Sequence, residues 1–309
     1  MAALIGYPLP TISPIAHSFV GLALGLLLVF RTNNAYDRYY EGRKVFERFL
    51  VNGRFLSMLL ATTNMVHRTG DKFVNLYHAF VLSVKHRVRG SSLSDEEIAD
   101  MKANLEPGTV TLLMRVRNRP LAIIRLLTEF CLDKTTNGEV EFKLIGTLQA
   151  RLSDCIDGAY ACERIINTPI PIPYQIHMRQ MLVLYVASLP LVFEGAHRGW
   201  TSVFSTFMIA FGLLGIEEAG TVISNPFGDD DADLPLEMFC SVVHLDMSQT
   251  VAFGRLMHFA NQAEESTAGL LPPDGRLRQT QPLTVQLFEN DHDEAHVMPI
   301  LKFKKPKKA

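Results

Sequence analysis

The stretch FRTNNAYDRYYEGRKVF at residues 30–46 marks a sharp boundary between two kinds of sequence. From Met1 to Phe30 the chain contains no Asp, Glu, Lys or Arg, and charged, aromatic and amide side chains crowd together from Arg31 onward. A helix in a soluble core needs no such boundary, whereas a helix that leaves a bilayer does. The boundary therefore predicts a membrane-spanning helix that ends near residue 30.

Composition agrees with a membrane part joined to a polar part. The 309 residues have a mean hydropathy of +0.12, a net charge of −2 and 20% charged residues, against about 25% in a typical soluble domain. The balanced charge gives no support for a nucleic-acid partner, which usually requires a basic face. Four scattered cysteines form no C-x-x-C pair, and we interpret all of them as buried thiols (Cys131, Cys155, Cys162 and Cys240).

Three apolar runs, at 13–30, 181–193 and 199–216, are candidates for membrane helices. The second is shorter than the roughly 20 residues that a perpendicular span needs, unless residues 170–178 extend it. In that case Arg179 must face protein or water. Buried helices of a soluble core remain an alternative for all three runs, and a secretory signal peptide remains one for the first.

The remaining chain is predicted to be helical. Apolar residues recur at helical spacing after residue 44, Ser94 and Glu97 form the pattern of a capping box, and a further helix is predicted over 110–132 in spite of Pro120. Three prolines within 167–175 predict an extended crossing element. Since no alternating strand pattern of note occurs, the predicted fold is all-α, with transmembrane helices joined to a large cytosolic helical bundle.

Two residue groups near the boundary are functional candidates. Ile15, Phe19 and Ala23 recur at a spacing of four and share one stripe of the first helix, which could line a pore in a symmetric assembly or pack on a neighbouring helix. Beyond them lies a cluster whose spacing favours a structural charge network at the membrane exit: Arg31, Asp37, Arg38, Glu41 and Arg43.

Four segments resemble the bestrophin family, in its bacterial, algal and plant branch: 18–46, RPLAIIRLL at 119–127, 161–179 and 212–237. The resemblance implies a homopentamer with a central pore through a membrane part and a cytosolic part. It implies an apolar neck at Ile15, Phe19 and Ala23, where Ala23 replaces a larger residue and is expected to widen the inner end. It also implies a second constriction at Ile170, with Ile172 as the alternative.

The function implied by the resemblance is anion conduction, with chloride, bicarbonate or nitrate as the ion. An apolar ring gives an ion no substitute for its water and gates by wetting, so the ring alone does not set the selectivity. A cation channel, or a non-conducting scaffold or regulator, is the alternative. We find no nucleophile–base pair, phosphate loop or metal signature that predicts an enzyme. The expected partners are further copies of the chain, lipid and small anions, in a plasma membrane or a thylakoid membrane.

The acidic stretch NPFGDDDAD at 225–233 has two interpretations. Such a run is usually a solvated loop, but animal bestrophins have a calcium clasp with a similar sequence. The resemblance would assign calcium to Asn225, Asp230 and Asp233, although Val222 stands where the clasp has a glutamine. We therefore expect no required cofactor, with calcium as a possible ligand.

The resemblance also predicts how the chain is organised. We expect one domain over 1–309, with a neck helix at 13–30, cytosolic helices at 31–166 and an aperture element with membrane helices at 167–217. A post-membrane segment follows at 218–280, and 281–309 is predicted to be a disordered tail. Because family members have another membrane helix before the neck, we expect this sequence to be incomplete at its start, with a shortened protein as the alternative.

Overall fold

The computed structural model describes residues 12–63, 69–137, 142–193 and 200–268, and these residues form helices and connecting loops without a strand. In chain order the helices are α1 (Pro14–Ala61), α2 (Gly70–Arg89), α3 (Asp95–Asn104), α4 (Pro107–Arg115), α5 (Arg119–Thr136), α6 (Phe142–Asn167), α7 (Ile172–Phe193), α8 (Trp200–Val222) and α9 (Leu236–Ala268). The prediction of an all-α fold is confirmed. The predicted tail at 281–309 lies outside the described residues.

Helix α1 belongs to both halves of the molecule. Its 48 residues continue without a break through the boundary at Arg31, which makes it roughly 72 Å long at 1.5 Å per residue. Its first half is apolar enough to cross a membrane, as are α7 and α8 by length and composition. The predicted membrane segments thus correspond to three helices, and the 181–193 run is extended on its N-terminal side to Ile172.

The membrane part has a small core. Leu24 and Leu28 of α1 pack with Met178 and Leu182 of α7, and Leu213 of α8 covers them from the side. Most other side chains of α8 are exposed in the single chain, including Phe204 at 66% and Phe207 at 62%. Large exposed apolar faces on helices of this length fit contact with lipid or with other copies.

The polar part has a much larger core, built around α2. This helix is buried on most of its surface and packs against α1, α5, α6 and α9. Aromatic rings fill the centre, where Phe49 lies edge-on to both Phe46 and Phe80. A Cβ on Gly158 of α6 would lie 2.7 Å from the Phe49 ring, so glycine is needed for the close approach of α6 to α1.

Two predictions about helix limits need correction. The helix predicted over 110–132 is two helices, α4 and α5, because Val116 is extended and the Asn118 side chain caps the start of α5 through the Leu121 N–H. Pro120 then occupies the first turn of α5, where a proline costs no hydrogen bond. The crossing element predicted at 167–175 is shorter, since only residues 168–171 lie outside helices and Pro173 lies in the first turn of α7.

Candidate functional site

The stripe of Ile15, Phe19 and Ala23 lies on the free face of α1. Ile15 is 71% and Phe19 is 70% exposed, and Ala23 is exposed as well. At about 100° per residue, the centre of this stripe lies roughly 160° around the helix from the buried face that carries Leu24 and Leu28. The three side chains are therefore available to a central cavity or to a neighbouring copy. Their role in a neck stays a prediction.

A buried ion pair joins α1 to α8 at the membrane exit. Arg31 donates through Nη1 to Glu217 Oε1 at 2.5 Å and through Nη2 to Thr221 Oγ1 at 2.6 Å. Both charged side chains are nearly inaccessible, at 6% and 5% exposure. Arg179 of α7 lies 3.6 Å from Glu217 Oε2 and 3.9 Å from the Glu218 carboxylate. Glu217 thus sits between cations from two other helices.

Arg38 reaches the C-terminal ends of two helices. Its guanidinium donates to the carbonyl oxygens of Ile165 at 2.5 Å, Thr168 at 2.6 Å and Ser224 at 3.3 Å. The first two oxygens lie near the end of α6, and the third follows α8. Such carbonyls have no partner within their own helix, and a cation near a helix C-terminus is favourable. Arg38 therefore holds α1 against the start of the crossing element and the segment after α8.

Two further members of the predicted charge cluster also have partners outside it. Glu41 pairs with Arg164 of α6, and the Arg43 guanidinium lies 4.6 Å from the centre of the Phe239 ring. Asp37 is exposed. The contacts described for this cluster run mainly to other helices rather than between its members along α1. Glu217 and Arg179 were missed as parts of it, although the end of the third apolar run at Glu217 was a usable signal.

The crossing element forms a short link between α6 and α7. The Gln175 side chain donates to the carbonyl oxygen of Ile170 at 2.9 Å, and Ile170 itself is partly buried. Ile172, the first residue of α7, is 65% exposed. An aperture at Ile170 therefore stays a prediction, and Ile172 presents more surface to any cavity beside it.

The acidic loop at 225–233 is fastened to the polar core. Phe227 is buried against Phe46, and Asp229 lies 3.2 Å from Arg89. Asp233 Oδ2 accepts a hydrogen bond from the backbone N–H of Asp230 at 2.8 Å. Asp230 itself is exposed.

The acidic side chains of this loop bear on the calcium prediction. Within the four described ranges, no three His, Cys, Asp or Glu side chains are grouped to hold a metal. One of the Asp233 carboxylate oxygens already serves the loop backbone. Calcium binding by Asn225, Asp230 and Asp233 stays a prediction.

The cysteines are suited to packing rather than chemistry. All four are buried and have free thiols. Burial raises the pKa of Cys131 and of Cys240 to about 12, and that of Cys155 to about 11. Since the thiolate is the reactive form, these groups are poor nucleophiles, and the interpretation as buried thiols is confirmed.

Comparison with known proteins identifies the family. Residues 2–249 match the family model described as "Bacterial/Fungal Bestrophin protein". A Synechocystis protein named "Voltage-dependent anion channel-forming protein sll1024" is 32% identical over 77% of this chain and 78% of its own length. The Arabidopsis thaliana "Voltage-dependent chloride channel 2, chloroplastic" is 28% identical over 79% of this chain and 58% of its own length.

A solved structure shows the same fold. The bacterial bestrophin homologue from Klebsiella pneumoniae superposes with a TM-score of 0.73 at 22% identity, covering 81% of this chain and 91% of that one. The shared helical architecture and the match over most of the sequence agree with each other. This chain belongs to the bestrophin family.

Proposed function

We propose that this chain is a subunit of an anion channel in which five copies surround a central pore. The observation that carries the proposal is the free face of α1, where bulky apolar side chains stand opposite the face that packs on α7 and α8. Five such faces around an axis would form an apolar neck lined by Ile15, Phe19 and Ala23. The names of these relatives describe anion and chloride channels, and they favour anions as the conducted species.

The apolar neck would control conduction through water. A ring of isoleucine or phenylalanine side chains offers an ion no hydrogen bonds, so the ion passes only when the ring is wet. Because α1 continues unbroken from Phe19 to the aromatic core around Phe49, a shift of the polar part would move the neck. The exit network of Arg31, Glu217 and Arg179 would keep α1 joined to α7 and α8 during such a shift, so that the three helices would move together.

Chloride is the proposed ion, with bicarbonate and nitrate as further candidates, and the bilayer is either a plasma membrane or a thylakoid membrane. No catalytic role is proposed. Flux of chloride from liposomes that contain the purified full chain tests this assignment. Chloride flux above that of empty liposomes supports it. Potassium flux without chloride flux would favour a cation channel, and no flux from assembled pentamers would favour a scaffold; either result would contradict the proposal.

The neck assignment predicts the effect of Phe19→Ala. Removing five rings from the narrowest part would widen it and make it easier to wet, so chloride flux should rise by about twofold or more. Phe204→Ala is the matched control, because Phe204 is exposed to a similar extent on α8, outside the proposed neck. An unchanged flux in Phe19→Ala, or an equal rise in both variants, would place the constriction elsewhere.

A further inference from the structure

His17 is a buried titratable residue inside a membrane-spanning helix. It lies between Ile15 and Phe19 in sequence, but its side chain is on the opposite face of α1 and is 8% exposed. Ionisable groups are rare at such positions and face protein or water where they occur. The neck proposed above does not use this residue, although it lies directly behind the apolar ring.

The described side-chain contacts of His17 reach α7. Its ring stacks on Tyr185, with centroids 4.1 Å apart and planes 21° from parallel. Its Nε2 lies 2.9 Å from Ser188 Oγ and 3.3 Å from the carbonyl oxygen of Tyr185. One side chain of α1 is thus held by a ring, a hydroxyl and a backbone carbonyl of the same helical turn.

The position of the hydrogen on this ring follows from the carbonyl oxygen of Tyr185. Ser188 donates its hydroxyl hydrogen to the Tyr185 carbonyl oxygen at 2.7 Å, and this carbonyl oxygen, which also lies 3.3 Å from Nε2, can only accept a hydrogen bond. Nε2 of His17 therefore carries the hydrogen, and a second proton would bind at Nδ1. Protonation leaves the Nε2 donor in place, and a charged ring still stacks favourably on tyrosine. The contact between the helices is expected in both protonation states.

Gly21 tightens the same contact one helical turn further on. A Cβ at this position would lie 2.4 Å from the Tyr185 hydroxyl oxygen and 2.9 Å from its ring. The Tyr185 ring is consequently enclosed between the His17 imidazole and the backbone of α1. The neck helix cannot slide along α7 at this level without breaking the stack.

What changes with protonation is the charge behind the neck. The surrounding segments 12–30, 180–193 and 200–216 contain no Asp, Glu, Lys or Arg, and the titratable group facing His17 from α7 is Tyr185. The charges of the exit network begin at Arg31, roughly 21 Å away at 1.5 Å per residue. Residues 194–199, which include Glu194, His197 and Arg198, lie outside the described residues.

From this geometry we infer that His17 is a positioning residue of the neck and that protonation of its ring increases anion conduction. The inference rests on the proposed anion channel. In the neutral state His17 holds Ile15 and Phe19 in register against α7. In the protonated state the contact persists, and five positive charges surround an apolar ring whose other lining carries no charge. Such charges lower the energy of an anion in the neck and raise that of a cation.

The test is chloride flux from liposomes containing the full chain, measured at about pH 7.5 and about pH 5.5, a range over which histidine ordinarily titrates. Flux through the unmodified protein should increase at the lower pH on the order of threefold. His17→Gln keeps a donor in the place of Nε2 but cannot be protonated, so it should lose this increase. His177→Gln, which removes an exposed imidazole of α7, should retain it.

Each outcome decides between the two proposals. Flux that does not depend on pH, or a pH response that survives in His17→Gln, would overturn the role of His17 while leaving the channel intact. Loss of the response in His197→Gln instead would assign it to the 194–199 segment and also overturn the inference. No chloride flux at either pH from assembled protein would contradict the proposed function itself. A ratio of chloride to potassium permeability that rises with acid in the unmodified protein alone would support the inference independently.

Discussion

Glu217 is a buried carboxylate at the membrane exit. It is 4% exposed and its carboxylate lies between Arg31 and Arg179. A buried charge that loses its partner is strongly destabilising, because it has neither water nor a counter-charge. Removing one partner of the ion pair between α1 and α8 would therefore destabilise the protein, because the other charge would stay buried without a counter-charge.

Replacing Glu217 with Gln should destabilise the protein. The change leaves the Arg31 guanidinium buried opposite a neutral amide, and breaking such a pair costs on the order of 3 kcal/mol. The measurement is thermal unfolding of the purified protein in detergent. Glu218→Gln is the control, because Glu218 is 65% exposed and an exposed charge contributes little. Equal melting temperatures for both variants would show that the pair does not stabilise the exit.

At this scale the sequence predicted the presence of charges but not their partners. Spacing along one helix can suggest pairs three or four residues apart, whereas the residues that meet Arg31 lie 186 and 190 positions further along the chain. The contacts of Arg38 could not be predicted from the sequence either. Its acceptors are backbone oxygens at helix ends, and any residue type can supply those. Such contacts appear only once the helices are packed.

Among the elements, α3 has the clearest electrostatic anchor. Its capping box at Ser94 and Glu97 is confirmed, and the Glu97 carboxylate also meets Lys85 and His86 of α2 at 2.7 Å each. Partial burial opposes ionisation, but the hydrogen bonds from Lys85, the Ser94 backbone and His86 outweigh it. Together they lower the pKa of Glu97 from 4.5 to about 2. Glu97 therefore stays ionised and fastens α3 to α2 near neutral pH.

This lowered pKa predicts how stability changes with acid. A carboxyl group whose pKa is lowered in the folded state stabilises the protein at pH values above its pKa in the unfolded state, near 4.5. That stabilisation is lost as the pH falls towards 2. Glu97→Gln should therefore melt at a lower temperature than the unmodified protein at neutral pH, and the gap should narrow below about pH 4.5. Glu96→Gln, on an exposed neighbour, should show neither effect. A gap that stays constant between pH 3 and pH 7 would contradict the assignment.

Helix limits were predicted well where local chemistry sets them and poorly where a proline is ambiguous. The capping box needs only Ser94 and Glu97 three residues apart, and its start was predicted correctly. Pro120 and Pro173 are each compatible with a helix start or a helix break. In the structure both lie in first turns, which divides one predicted helix and shortens the crossing element.

At the scale of the whole molecule, the boundary at Arg31 indicated the division into a membrane part and a polar part, and the fold agrees. The assembly around an axis does not follow from one chain, and five copies remain part of the proposal. We expect crosslinking of the protein in detergent or liposomes to stop at five subunits. A stable dimer or monomer as the largest species would contradict the proposed pore.

Calcium removal tests the acidic loop in the same assembled protein. Because one Asp233 oxygen is used by the loop backbone and no three acidic, His or Cys side chains gather in the described ranges, we expect chloride flux to be unchanged by a calcium chelator. Asp230→Asn should likewise leave the flux unchanged. The contrary result would be a chelator that reduces the flux of the unmodified protein and added calcium that restores it. If added calcium then failed to restore the flux of Asp230→Asn, the loop would be established as a calcium site.

Cysteine labelling at the neck tests whether the free face of α1 lines the conducting pore. The native thiols are buried, so a cysteine placed at Phe19 is the accessible target for a small anionic thiol reagent. We expect labelling of Phe19→Cys to block most of the chloride current, because the attached reagent would fill the neck. Labelling of Phe204→Cys on α8 should leave the current unchanged. Full labelling of Phe19→Cys, verified by mass, with an undiminished current would contradict the claim.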